Sequence, residues 1–301
     1  MIRYFRRGPN APVLLFLLLA GTINAHEGNH PVSLWQVDGK QNHVYLLGSI
    51  HLLRETDHPL PSAIDDAYDN ADVLFMELDM DDADPIADQM LSTELGLIQD
   101  DKTLSDLLGP ELYAQAEVQA VALQIPLKLL ETSELWYAAI NIEIMLLMRI
   151  GFSPIYGVEA HLLEMARKDN KEIFGFETMR QQLGFLDNLS AESQRELFMQ
   201  SLAEGAEIDG MMDSIIDAWH NGDVASLEEN LLRDMQQYPE LNQVIVVDRN
   251  RSWAERIETL LTHEIDYLIV VGTLHLVGTE GVPDLLAKRG YKVTQLRQQA
   301  N

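Results

Sequence analysis

The chain has 301 residues, no cysteine and a formal net charge of −27 at pH 7, with 21 Lys and Arg against 48 Asp and Glu. Without Cys there are no disulfides and no Cys-linked lipid anchor, so stability must come from burial, for which the length suffices. A surface this acidic repels phosphate backbones and anionic headgroups, which argues against nucleic acid and peripheral membrane partners.

The start reads as a secretory signal peptide. Arg3, Arg6 and Arg7 form a basic head, residues 13–20 are apolar, and Thr22-Ile23-Asn24-Ala25 offers a cut after Ala25. The expected organisation is a signal over residues 1–25 and one exported domain over 26–301, periplasmic or secreted, with an uncleaved anchor as the alternative. Residues 32–37 and 43–47 flank Asp38-Gly39-Lys40-Gln41-Asn42 and predict a β-hairpin. Pro59-Leu60-Pro61-Ser62 opens a helix capped by Ser62, with Ala63, Ile64, Ala67 and Tyr68 facing inward. Residues 72–77 predict a buried strand ending in Glu77, and 79–88 an acidic loop.

Residues 104–150 have a helical pattern, interrupted at Gly109-Pro110 and Pro126. The last part, 135–150, is apolar apart from Asn141, Glu143 and Arg149, which predicts a buried core helix rather than a membrane span. Glu143 would then be a buried carboxylate without a partner at pairing distance. Residues 158–166 are helical, 171–176 form a third strand leading into Glu177, and 179–237 are helical with breaks near Leu189-Ser190 and Asn221-Gly222-Asp223. Residues 242–263 carry Arg249-Asn250-Arg251 into an amphipathic helix; a strand, a short helix over 283–289 and a strand over 291–296 close the chain. Strands at both ends with helices between them predict a single α/β domain, and no Pro- or Ser-rich linker divides it.

One phrase is written twice. Leu46-Leu47-Gly48-Ser49-Ile50-His51-Leu52-Leu53 is echoed by Val270-Val271-Gly272-Thr273-Leu274-His275-Leu276-Val277. Apolar branched runs read as buried strands, and Gly ends them where backbone turns or comes close to a ligand. Open α/β sheets collect ligands outside the carboxyl ends of their strands. His51 and His275 are therefore expected to face one cleft, joined by Glu77 and Glu177 from two other strand ends. Two imidazoles and a carboxylate suit Zn²⁺, Mn²⁺, Co²⁺ or Fe²⁺. Such an ion lowers the pKa of bound water toward ~7, and the remaining carboxylate would act as general base. Each residue also has a plainer role, as a core histidine or as a carboxylate at the start of the next helix. Ser49 lacks the G-x-S-x-G elbow of a nucleophile and is matched by Thr273, so both hydroxyls are read as bonding nearby backbone.

Together these residues resemble the TraB/PrgY/GumN family, whose animal relatives include the Tiki metalloproteases. The resemblance rests on Leu47-Gly48-Ser49-Ile50-His51, Pro59-Leu60-Pro61, Ala71-Asp72, Met76-Glu77-Leu78-Asp79 and Tyr156-Gly157-Val158-Glu159. It continues through Gly175-Phe176-Glu177-Thr178 with Gln182, Arg249-Asn250 with Trp253, and Val271-Gly272-Thr273-Leu274-His275-Leu276-Val277-Gly278. It implies a fold like that of the erythromycin esterases and haem-binding ChaN-type proteins, with a central mixed sheet, surrounding helices and two pseudo-equivalent Gly-x-x-His strands. It also implies a metal-dependent hydrolase, a peptidase first of all, using Mn²⁺, Co²⁺ or Zn²⁺ held by His51, His275 and Glu77. Glu177 is the second candidate carboxylate, and Arg249 and Glu159 stand beside the site. Arg249 would hold a substrate carboxylate or stabilise an oxyanion. The alternative is a binding protein that sequesters a peptide, haem or small molecule in the same cleft, since two histidines also ligate haem iron.

Overall fold

Alternation of side chains builds the central layer. The computed structural model describes residues 29–79, 81, 84–233 and 235–298; the signal-like segment 1–25 with its cleavage site, and part of the acidic stretch, lie outside them. Six strands, β1 (Pro31–Asp38), β2 (His43–Ser49), β3 (Val73–Leu78), β4 (Ile173–Glu177), β5 (Tyr267–Gly272) and β6 (Lys292–Arg297), form one sheet in the order β4-β3-β5-β2-β1-β6. Strands β4, β3, β5 and β2 are parallel, whereas β1 runs antiparallel to both β2 and β6, so the sheet is mixed.

Successive residues of a strand point to opposite faces. Leu74, Met76, Leu268 and Val270 face one helix layer, formed by Ser62–Asn70, Val158–Asp169 and Ile208–His220. Val73, Phe75, Tyr267, Ile269 and Val271 face the other, formed by Asp248–Leu260 and Val282–Lys288. Coverage on both faces is why these strands read as unbroken apolar runs. A third core joins helices Leu104–Ala122, Leu135–Arg149 and Ala191–Glu204. The α/β sheet with helices around it matches the sequence expectation.

Three local expectations change. Ser62 is the first helical residue behind a Pro61 cap, and its hydroxyl accepts a hydrogen bond from Gln298 Nε2 instead. The expected acidic loop turns helical at Pro85, because the Asp84 carboxylate accepts the free N–H groups of Ile86 and Ala87 and starts Pro85–Gly96. Glu143 is not buried. The helix Leu135–Arg149 buries Leu135, Trp136, Ala138, Ala139, Ile142 and Leu146, leaving Glu143, Ile144 and Met148 on its exposed arc. The apolar composition of this helix concealed which arc faces water. Arg149 donates from Nη1 and Nη2 to the carbonyls of Leu123 and Gln124, tying its end to that of Leu104–Ala122. Among the described residues, no helix is long and apolar enough to cross a membrane.

For function, the direction of the strands matters most. The carboxyl ends of β2, β3, β4 and β5 all lie along one edge of the sheet, which is where such folds build sites.

Candidate functional site

Strands β2 and β5 are parallel neighbours with Ser49 opposite Gly272, so the two repeated phrases sit one residue out of step. They leave the sheet differently. Beyond Gly272 the chain winds into a 3₁₀ turn, Thr273–Leu276, that tucks His275 into the interior at 4 % exposure. Beyond Ser49 it bends outward, and the His51 side chain is 59 % exposed. The two ends are held close together. A Cβ on Gly48 would lie 2.9 Å from Thr273 Oγ1, while that hydroxyl donates to the Ser49 carbonyl at 2.8 Å. Gly157 lets the helix Val158–Asp169 begin against His51, since a Cβ there would come within 2.2 Å of the His51 carbonyl oxygen. That approach delivers Glu159, in the first helical turn, to the imidazole.

Arg249 is the hub of the floor. Its Nε donates to Glu177 Oε1 (2.9 Å) and its Nη2 to Glu177 Oε2 (2.8 Å) and Glu77 Oε2 (2.5 Å). Its Nη1 donates to the Ile245 carbonyl (3.3 Å) and to His275 Nε2 (3.1 Å). All five N–H donors of the guanidinium are therefore engaged. Trp253 and Phe185 flank the same group, 4.6 and 5.4 Å from their ring centroids. Ile245 belongs to a π-helical turn, Gln243–Val247, immediately before Arg249, an irregularity common at functional sites. Since the guanidinium can only donate, His275 Nε2 accepts, and Nδ1–H donates to Asn250 Oδ1 at 2.7 Å. Asn250 is fixed in turn, its Nδ2 donating to the Glu280 carbonyl. Burial pushes the His275 imidazole down to about 3, so it is neutral.

Glu77 lies between the two histidines. Its Oε1 accepts the Gly272 N–H at 2.7 Å and its Oε2 accepts from Arg249 and from Gln182 Nε2. Burial pushes this carboxyl up, but His275, Arg249, His51 and the Gly272 N–H together hold it at about 2. His275 is itself neutral near pH 7, so there the charge that holds Glu77 ionised comes from Arg249 and His51.

His51 has the opposite environment. Its Nδ1 lies 2.6 Å from Glu159 Oε1, which also accepts from the Ser49 hydroxyl at 2.5 Å. The Glu159 carboxylate raises the imidazole to about 9, and the open flank of the ring tempers the strength of that pair. Burial pushes Glu159 up, and the His51 charge with the two hydrogen bonds brings it below its ordinary value. Gly272 lies where these groups converge. A Cβ there would sit 3.4 Å from Glu77 Oε1, 3.7 Å from His51 Nε2 and 3.7 Å from His275 Cδ2. A cavity of about 550 Å³ is lined by His51, Glu77, Glu159 and Arg249, with walls including Ile140, Leu163, Leu183, Phe185 and Ile245. A larger groove of about 820 Å³ runs past Tyr45, Asp66 and Arg297 and contains none of these strand-end groups, so chemistry favours the smaller cavity.

The TraB/PrgY/gumN family pattern matches residues 33–295. The chain belongs to this family. Among its relatives, the "Uncharacterized protein YbaP" of Escherichia coli (strain K12) is 23 % identical over 244 residues, covering 81 % of this chain and 88 % of its own. The protein of that name from Shigella flexneri aligns to the same extent, and an "Uncharacterized protein" of Treponema pallidum (strain Nichols) is 25 % identical over 272 residues, 85 % of this chain and 80 % of its own. No solved structure matches.

In this TraB/PrgY/gumN chain, the residues nominated from sequence, His51, Glu77, Glu177, Arg249 and His275, gather at one sheet edge but in two layers. His51, Glu77 and Arg249 line the cavity, whereas His275 and Glu177 are absent from its lining. The two histidines therefore do not share one cleft wall. The metal trio drawn from the resemblance does not fit a divalent ion as placed, because His275 Nε2 and Glu77 Oε2 already accept from Arg249. Among the described residues, no group of three or more His, Cys, Asp or Glu is disposed to hold one. Arg249 has no N–H left for a substrate carboxylate or an oxyanion, so its expected role shifts to organising the floor. Thr273 bonds backbone as expected, but the Ser49 hydroxyl bonds Glu159. Asn250 holds His275 and Gln182 holds Glu77; adjacency to Arg249 is a signal for Asn250, whereas no spacing links Gln182 to Glu77.

Proposed function

We propose that the protein is a hydrolase acting on a carbonyl substrate with an apolar side group, a peptide first of all, and that His51 oriented by Glu159 is its general base. The observation that carries this is the Glu159–His51 pair in the lining of an apolar cavity, with His51 Nε2 and Glu77 Oε1 both close to Gly272. Of the groups at the site, His51 titrates nearest the working range, whereas Glu77 at about 2 and His275 at about 3 are poor bases.

A water beside Gly272 gives a proton to His51 Nε2 as its oxygen attacks the carbonyl carbon. The proton passes to the leaving nitrogen as the C–N bond breaks. Glu159 holds the ring through Nδ1–H, and Glu77 stabilises the imidazolium that forms. Because His51 must be neutral to accept the proton, the rate is expected to rise with pH toward about 9. Exported location, as the signal-like residues 1–25 suggest, belongs to the same proposal and places peptides of that compartment within reach.

The test is incubation of purified protein with a diverse peptide library. New fragments are expected from the wild type and none from Glu77→Gln. Gly272→Ala is the sharper variant. Gly272 has φ −51° and ψ 137°, accessible to alanine, and its Cβ would make contacts of ordinary length, so the fold is retained while the water position is filled. Equal cleavage by Gly272→Ala and wild type would remove the proposed water site. Retention of intact peptide without fragments, unchanged in Glu77→Gln, would instead indicate a sequestering protein.

A further inference from the structure

We propose that Arg249 is a built-in cation that stands where the sequence resemblance puts a divalent ion, and that it closes this position to metal. The inference rests on the hydrolase reading only for its consequence, that water activation falls to His51 and Glu159.

A divalent ion at the strand ends would need lone pairs from at least three of the side chains there. His275 Nε2, Glu77 Oε2 and both Glu177 oxygens are the natural set, and each accepts a hydrogen bond from one buried guanidinium. A planar, permanently charged fork suits two carboxylates better than a point charge does. It is also not free to swing aside. Trp253 and Phe185 flank it, and Nη1 is tied to the Ile245 carbonyl of the π-helical turn. The neighbouring Asn250 accepts from His275 Nδ1–H and so points the Nε2 lone pair at Arg249. Beyond the reach of the guanidinium, Glu77 Oε1 already accepts the Gly272 N–H, and His51 Nε2 and the buried Glu159 Oε2 do not complete a set: among the described residues no three His, Cys, Asp or Glu are disposed to hold an ion.

The converse follows. Removing the guanidinium strips the donor from His275 Nε2, Glu77 and Glu177 together and leaves them around one vacated position. Purified wild type and Arg249→Ala would each be dialysed against Zn²⁺, Mn²⁺ or Co²⁺ alone, and bound metal counted by mass spectrometry. The wild type is expected to retain no stoichiometric ion. Arg249→Ala is expected to retain one per chain and to lose it again when His275→Ala is added. One ion per wild-type chain, lost on His275→Ala, would overturn the proposal, and so would a folded Arg249→Ala that binds none. Should Arg249→Ala fail to fold by circular dichroism, Arg249→Gln keeps much of the volume and takes its place, and the wild-type arm decides by itself. The readout is bound metal rather than turnover. A wild type that cleaves nothing would sink the hydrolase reading and leave this result standing.

Discussion

His51 and His275 end two nearly identical phrases on neighbouring parallel strands, yet they occupy opposite chemical states. Glu159 raises the imidazole of His51 to about 9, and that ring opens onto the cavity. His275 is enclosed, pushed down to about 3 by burial, and used as a neutral acceptor by Arg249. Both start from an ordinary value near 6.5. The difference arises just past the strands, where one copy bends outward to meet a helix-borne carboxylate and the other winds into a 3₁₀ turn over a guanidinium. A shared motif thus sets where a side chain sits along the sheet edge, while its partners decide what it can do there. His51 is placed to move protons, and His275 to hold the floor that keeps Glu77 in position.

The asymmetry can be broken first at Arg249. Arg249→Met leaves Glu77 and Glu177 buried without their counter-ion, and urea unfolding should show a loss of ~3–5 kcal/mol. A loss under ~1 kcal/mol, typical of a surface pair, would mean that the floor is not organised by this residue. The histidines should separate next. His275→Ala opens a cavity and leaves Arg249 Nη1 short of an acceptor, for a destabilisation of ~2–4 kcal/mol. His51→Ala should cost less than ~1 kcal/mol in stability but lower peptide cleavage by ~10²–10⁴-fold. Equal stability losses for the two variants would erase the distinction.

The smallest effect is in pH dependence, and the two residues act in opposite windows. His51 has a folded value of about 9 against an ordinary 6.5, so its pairing stabilises the fold fully below pH 6.5 and the benefit fades as pH rises through about 9. His275 has a folded value of about 3, so the unfolded chain binds its proton more readily, and stability falls as pH drops from 6.5 toward about 3. Thermal melts across pH should lose the alkaline decline in His51→Ala and this part of the acid decline in His275→Ala. A profile unchanged by both substitutions would contradict the opposed environments.

Much of the architecture was legible before the structure. Apolar runs over 43–47 and 72–77 have the length and branching of buried strands, and Gly48 and Gly272 mark the ends of the two strands that carry the repeated phrase. Those marks point to His51 and His275, and the carboxylates closing two other strands add Glu77 and Glu177. What stayed hidden depends on partners distant in sequence. Glu159 reaches His51 across 108 positions and from a helix, and only the family resemblance pointed toward it. The engagement of all five Arg249 donors, and the turn that buries His275, depend on side-chain directions that no spacing encodes. The exposure of Glu143 is not legible in the sequence, because an almost wholly apolar helix carries too little contrast to show its outward arc. Asp84 shows the reverse case, a capping residue followed by Pro85 whose helix-start signal is present in the sequence within the acidic stretch.

The most direct measurement is a ¹⁵N–¹H titration of the histidine rings in the purified wild type, assigned with His51→Ala and His275→Ala. His51 should carry a proton on both nitrogens near neutral pH and lose one as pH rises through about 9. His275 should remain a single neutral Nδ1–H tautomer throughout. Two rings titrating together near pH 6.5 would contradict the division of roles between them.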